Sequence, residues 1–346
     1  MLRFLTAGES HGEALLAILE GMPSGLKIEK DFIDQELSRR QKGLGRGKRM
    51  QIEEDKVKII SGIKNGITIG SPIGVLIGNK DFSIDKLPKV IFPRPGHADL
   101  AGLLKYGFKD IRDVLERASA RETACQVAIG ALCKLFLKEF NIFIESKVLE
   151  IGGENKKERI IKKIEEAKEK RDTLGGIFEV TARGVPVGLG SYVHWDRRLD
   201  ARLAEVIISI PGVKAVEFGL GFGYAKKFGS EVHDAIYYNK IRGYFRRTNN
   251  AGGIEGGVSN GQDIVIRACM KPISTLLNPL DSVNILTKKP AKAQIERSDI
   301  CAVESAGVIA ESKVAFVLTD AFLEKFSADN LEDIKNSFKY YLKRIK

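Results

Sequence analysis

The sequence predicts an α+β fold organised as one large domain over residues 1–346. Three observations carry that expectation. Two long runs of small and apolar residues, 119–140 and 298–326, read as helices, the first of them largely buried. Strand-like runs rich in Ile and Val are punctuated by Gly and Asn-Gly turn signals. Helices and strands do not alternate with the regularity of a doubly wound parallel sheet.

In chain order, "DFIDQELSRRQ" (31–41) is a helix entering a glycine-rich basic turn. "KVKIISGI" (56–63) and "SPIGVLIGN" (71–79) are strands separated by Asn65-Gly66, and "DLAGLLKYG" (99–107) is a short helix. Strands follow the buried helix at "FIESKVLEI" (143–151) and "GIFEVTARGV" (176–185). Between them, "ENKKERIIKKIEEAKEKRD" (154–172) interleaves acids and bases and places Ile160, Ile161 and Ile164 at helical spacing, the pattern of a solvated amphipathic helix. A helix at "DARLAEVIISI" (200–210) and strands at "AVEFGLG" (215–221) and "GQDIVIRACM" (261–270) precede the last long helix, for which Ser298 is a natural N-cap. The basic "FKYYLKRIK" (338–346) ends another helix. No repeat, Pro-rich linker or low-complexity tract stands out.

Bulk properties narrow the class. Hydrophobic residues make up 43% and mean hydropathy is −0.12, values of a globular chain. Every apolar stretch is too short for a membrane span, and the first residues lack the apolar core of a signal peptide. Cys125, Cys133, Cys269 and Cys301 are scattered without a C-x-x-C pair, which argues against zinc or a disulfide framework and fits a reducing cytoplasm. The net charge of +11 suits nucleic acid, anionic lipid or a small polyanion. Its arginines, however, cluster beside Gly, Pro and Ser, where side chains can converge on a ligand.

Five stretches join permissive backbone to a cationic or proton-transferring side chain: "GESHG" (8–12), "RRQKGLGRGKR" (39–49), "FPRPGHAD" (92–99), "ERASARETA" (116–124), and "KPISTL" (271–276) with "ERSD" (296–299). Glycine admits backbone close to a ligand and exposes N–H groups to phosphate, while arginine grips carboxylate and phosphate with two donors. The segment 246–262, "RRTNNAGGIEGGVSNGQ", carries five glycines and no strand or helix period. Taken alone, "GESHG" fits a polar turn with His11 in water, and Arg39 with Arg40 fits an exposed helix end. As a set the stretches describe a cleft for anionic molecules. The P-loop, a Rossmann fingerprint in context, the G-x-S-x-G elbow and paired metal-ligand histidines are all missing.

"GESHG", "RPGHAD", "SARETA", "NNAGGIEGGVSNG", "KPISTL" and "RSDICAV" resemble the signature segments of the chorismate synthase family, in the same order, between Thr6 and Val303. The resemblance implies a carbon–oxygen lyase that converts 5-enolpyruvylshikimate 3-phosphate to chorismate by 1,4-anti elimination of phosphate. That step needs reduced FMN without net redox change, the flavin lending electron density as phosphate leaves and recovering it as the hydrogen is taken at N5. By motif, His11 protonates the departing phosphate, His97 protonates or holds the flavin, and Asp299 assists proton movement near N5. Histidine suits such work because its ordinary pKa is about 6.5. Ser10, Arg40, Arg46, Arg94 and Arg121 bind substrate anions. FMN contacts come from Arg117, Ala118, Ser119, Gly256, the run Lys271, Pro272, Ile273, Ser274 and Thr275, and Arg297. The resemblance further implies antiparallel sheets sandwiching helices and a cytoplasmic homotetramer. NAD(P)H enters only where a chain reduces its own flavin.

The sequence departs from the family pattern in places. Val114, Leu115 and Glu116 stand where a glycine run is common, Ala118 where serine is common, Pro211-Gly212 for Asn-Ala, and Glu304-Ser305 for Pro-Ala. Ala118 keeps only a backbone contact to offer. His194 and His233 lie outside the signature segments and read as surface or structural residues. Two other classes compete: a flavin binder without lyase activity, which could dispense with His11, and a nucleic-acid binder, for which the sequence offers no RRM- or KH-like aromatic and basic motif.

Overall fold

The computed structural model describes residues 2–46, 54–296 and 298–345. Its first half is built from β1 (Arg3–Ala7), β2 (Ala14–Glu20), α1 (Lys30–Gln41), β3 (Val57–Ile59), the small hairpin β4 (Ile63–Lys64) and β5 (Ile67–Thr68), and β6 (Ile73–Gly78). Two short helices, α2 (Asp99–Tyr106) and α3 (Arg112–Ala118), then lead to α4 (Thr123–Lys138). The second half contains β7 (Phe143–Ile151), α5 (Lys157–Glu169), β8 (Gly176–Arg183), α6 (Leu199–Ile208) and β9 (Val213–Phe218). An excursion follows with α7 (Gly229–Val232), the hairpin β10 (Ile236–Asn239) and β11 (Gly243–Arg246), and the hairpin β12 (Ile254–Glu255) and β13 (Val258–Ser259). The half closes with β14 (Ile264–Met270), the hairpin β15 (Asp281–Val283) and β16 (Pro290–Lys292), and α8 (Val303–Lys325), after which α9 (Leu331–Arg344) lies on the outside.

Two antiparallel four-stranded sheets, ordered β1-β2-β6-β3 and β7-β8-β14-β9, enclose the helices α1, α4, α6 and α8. This is the expected α+β sandwich. Alternation along the strands decides which side faces in. Leu15, Ala17 and Leu19 of β2 and Phe178, Val180 and Ala182 of β8 are buried, and one apolar cluster runs through both halves. The central helices α4 and α8 cross so closely that a Cβ at Gly130 would lie 2.2 Å from the Ser312 side chain. Glycine is the residue that lets these two helices touch.

The halves also repeat one topology, which the sequence did not disclose. Each sheet places its strands in the order first, second, last, third. In each half a helix follows the second strand and another closes the unit. The connection from last strand to closing helix is long in both halves, 79–122 and 271–302. Strand directions put these two connections, the β1–β2 turn and the segment after α1 at one end of the sandwich.

Two further expectations need correction. Residues 298–302 are not helical: α8 begins at Val303, and the Ser298 hydroxyl bonds the Asp299 carbonyl, so neither side chain caps the helix. The backbone of 298–302 instead adds to other segments, Ile300 N donating to Gly45 O. The segment 246–262 is not wholly a loop, since β12 and β13 form within it. The hairpin β10–β11 also exposes Tyr237, Tyr238 and Tyr244 among Lys240, Arg242 and Arg247, an aromatic and basic surface that the sequence reading passed over.

Candidate active site

The β1–β2 turn carries His11 at the end of the first sheet. Its position is set by α3. The Glu116 carboxylate accepts the His11 backbone N–H at 2.8 Å and bonds Nδ1 at 2.9 Å, and the Glu116 carbonyl accepts the Ser10 N–H at 2.9 Å. Ser10 is itself buried. Burial alone raises a carboxyl pKa, yet the bonds and charge from His11 hold Glu116 below its ordinary value. Arg117, next along the helix, reaches the other side of the turn through Gly8 O at 2.9 Å and the hydroxyl of Thr6 at 3.0 Å. Ser119 caps the short turn that follows, its hydroxyl accepting the Arg121 N–H at 3.2 Å, and Ala118 packs against the small apolar cluster beneath α3.

His97 is built in a parallel way. It stands just before α2, and its Nδ1 bonds Asp99, which is fully buried. Arg94 completes the group: Nε donates to one Asp99 oxygen at 2.9 Å, one terminal nitrogen donates to the other Asp99 oxygen at 3.1 Å, and the second terminal nitrogen reaches the Thr275 hydroxyl at 2.7 Å. Burial pushes the Asp99 carboxyl up, but His97 and Arg94 outweigh it and hold it far below the usual carboxylate range. The guanidinium of Arg94 is thus engaged with Asp99 and Thr275.

The run 271–275 packs against the same loop. Lys271 Nζ donates to Gly96 O and to Ser274 at 2.8 Å, Ser274 donates to Gly96 O at 2.7 Å, and the Thr173 hydroxyl holds Ile273 O at 2.7 Å. Pro272 is exposed between them. Gly96 must adopt φ +76°, and a side chain there would press on Lys271 and Ser274. The Lys271 N–H bonds Gly212 O at 2.9 Å, so Pro211-Gly212 is part of this arrangement.

Arg40 and Arg121 share one counterion. Asp55, fully buried, accepts Arg40 at 2.8 Å and Arg121 at 2.6 Å, while Arg121 Nε reaches Asn79 at 2.8 Å. Arg40 Nε is buried with no partner among the described residues. Arg46 pairs with Asp299 at 2.5 Å and so joins the segment after α1 to the one before α8. Glu304 and Ser305 strengthen the same joint: Glu304 accepts the Leu44 N–H at 3.0 Å and Ser305 donates to Arg40 O at 2.8 Å. Gly256 lies apart, in the β12–β13 hairpin at the far end of the second sheet. Arg297 lies outside the described residues.

Glu116, Asp99 and Asp55 were missed as functional carboxylates. Asp99 had a signal, two residues beyond His97 in "RPGHAD". Glu116 and Asp55 had none, because their partners are distant in sequence. Among the described residues no His, Cys, Asp and Glu group suits a metal ion, and no helix is long and apolar enough to cross a membrane.

The arrangement sets two carboxylate-backed imidazoles at the end of the sandwich that also holds Arg46, Arg94, Arg117 and Lys271. The family model described as chorismate synthase matches residues 2–323. A chorismate synthase of Thermoanaerobacter pseudethanolicus is 57% identical, covering 100% of this chain and 99% of its own length. One from Caldanaerobacter subterraneus is 56% identical with the same coverage. A crystal structure of chorismate synthase superimposes with a TM-score of 0.83 at 42% identity, covering 100% of this chain and 98% of that one. The chain belongs to the chorismate synthase family, enzymes of the lyase class.

Proposed function

We propose that this site eliminates phosphate from 5-enolpyruvylshikimate 3-phosphate to form chorismate, with reduced FMN as its cofactor. The observation that carries the proposal is the matched pair of histidines, each backed at Nδ1 by a buried carboxylate. A carboxylate at Nδ1 keeps the proton there and makes Nε2 the nitrogen that serves a ligand. His11 is 17% exposed and His97 21%, enough to be reached from the cleft while their carboxylates are shielded.

The residues fit a flavin phosphate. Burial, and after it the nearby charge of Lys214, pull the Lys271 ammonium below its ordinary pKa. Lys271, Ser274, Arg117 and the backbone at Ala118 and Ser119 supply donors for it, and Arg46 with Ser10 serves the substrate phosphate and carboxylates. Reduced flavin, when bound, supplies electron density during C–O cleavage and takes it back as the ring hydrogen leaves. The chain's own work is to orient both molecules, to hand the phosphate a proton from His11, and to hold a proton beside the flavin with His97 and Asp299. Arg94, Arg40 and Arg121 act in this proposal by fixing the walls of the site through Asp99 and Asp55.

We further propose a cytoplasmic homotetramer. Leu5 (72% exposed), Ile18 (42%) and Leu16 form an apolar outer face on the first sheet, which a second copy would cover. The free thiols suit a reducing compartment. Gly256 leaves the second sheet from the end opposite Lys271, so its flavin contact is supplied by a neighbouring copy. NAD(P)H has no role in the elimination itself.

The test is an anaerobic assay with chemically reduced FMN, following chorismate absorbance and phosphate release together. Both should appear in equal amounts and depend on the reductant. His11→Ala should lower turnover about 10²- to 10⁴-fold while FMN still binds. Undiminished turnover would remove His11 from the reaction, and FMN binding without any chorismate would leave a flavin binder.

A further inference from the structure

We propose that Glu116 is the positioning residue of His11: its carboxylate holds the ring in one orientation and keeps the proton on Nδ1, so that Nε2 serves the phosphate. This rests on the reading of His11 as the acid.

The geometry is unusually complete for a single side chain. One Glu116 oxygen bonds the His11 backbone N–H and the other bonds Nδ1, at 2.8 and 2.9 Å, so backbone and ring are held together. Such a double contact removes rotation about both side-chain torsions of the histidine, because the ring is referenced to its own main chain. The Glu116 carbonyl takes the Ser10 N–H as well. Glu116 itself has little room to move: it is 5% exposed, Val114 and Leu115 on the same helix are buried in the small cluster with Leu103 and Ile111, and Arg112 is anchored to Glu296 at 2.9 Å. Arg117 fastens the far side of the turn to the same helix.

His97 offers a comparison within the molecule. Asp99 divides its charge between His97 and Arg94, whereas both oxygens of Glu116 go to His11. A ring that must present Nε2 to phosphate benefits from a carboxylate whose two oxygens both hold it. The departure of this chain from a glycine run at 114–116 therefore places a carboxylate where it has catalytic consequence.

Two measurements decide the matter. In the ligand-free protein, imidazole ¹⁵N NMR has only four histidines to resolve, and His11 is assigned by its loss in His11→Ala. The native signal should report a proton fixed on Nδ1, and Glu116→Gln should move it towards a mixture of tautomers. In the assay, Glu116→Ala should lower kcat about 10- to 100-fold. The KM for substrate and the Kd for oxidised FMN should stay within about twofold, and Glu116→Gln, which keeps the size of the side chain, should recover part of the loss. In a His11→Ala background, Glu116→Ala should cost nothing further. An unmoved His11 signal, or an equal loss with and without His11, overturns the proposal. Should His11→Ala leave turnover intact, the reading of His11 as the acid fails, while the NMR still decides whether Glu116 holds the ring.

Discussion

The two halves of the molecule share a strand order yet treat their outer faces in opposite ways. On the second sheet, Lys147, Glu179, Arg267 and Glu217 stand side by side on neighbouring strands and form a ladder of alternating charge, with Glu179 at 2.8 Å from both Lys147 and Arg267. On the first sheet the same kind of position holds Leu5 opposite Ile18, and Leu16 opposite Leu76. Cross-strand charge pairs are made for water, and paired leucine and isoleucine are not. The ends of the sandwich differ as well. The first half contributes both histidines and their carboxylates, and the second contributes Lys271, Ser274, Thr275 and Asp299. One topology, used twice, thus supplies both carboxylate-backed histidines from one half and the 271–275 run with Asp299 from the other.

The largest expected effect comes from breaking the joint between the halves. Gly130→Val forces a branched side chain into the α4–α8 crossing, where even a Cβ would overlap Ser312, and should cost about 4 kcal/mol. Denaturant unfolding should show a lower midpoint with an unchanged slope. A midpoint near that of the parent chain would mean that the helices do not meet there.

Next is the joint at the site. Asp99→Asn leaves the buried Arg94 guanidinium without its charge partner and should cost about 3 kcal/mol at pH 7. Because the folded state holds the Asp99 carboxyl far down, its contribution is complete above the unfolded carboxyl pKa of about 3.9 and is lost as pH falls below it. The gap between parent and variant should be level from pH 7 to 5 and close below about pH 4. A gap that closes on raising the pH would contradict the pairing.

The smallest effect on stability separates the two outer faces. Glu179→Gln should cost about 1 kcal/mol and leave the assembly unchanged. Leu5→Lys with Ile18→Lys should barely alter folding but shift the molecular mass by light scattering to smaller species. An unchanged mass would show that the first sheet is not where copies meet.

Much of the site was legible because its chemistry sits in contiguous motifs. His11 and His97 declare themselves through glycine and proline neighbours, and "KPISTL" does so by its turn composition. What those side chains touch was not legible. Arg94 and Arg40 read as ligand clamps, and their pairing with the buried carboxylates of Asp99 and Asp55 was no part of that reading. Glu116 read only as a departure from a glycine run, since its partner is 105 positions away. The long helix at 298–326 starts late because Asp299 and Ile300 are taken by Arg46 and Gly45 from the other half, and no local propensity reports that competition.

Sequence by itself determined the long helices, most strands of the two sheets and the reactive groups, because helical and strand periodicity, turn residues and histidine chemistry are local properties of a few neighbouring positions. The repeated topology, the closeness of α4 and α8 at Gly130, and the choice of a carboxylate for each histidine and arginine were decided only in the tertiary structure. Hydrogen bonds and ion pairs depend on distances of about 3 Å between groups far apart along the chain, and packing alone sets those distances.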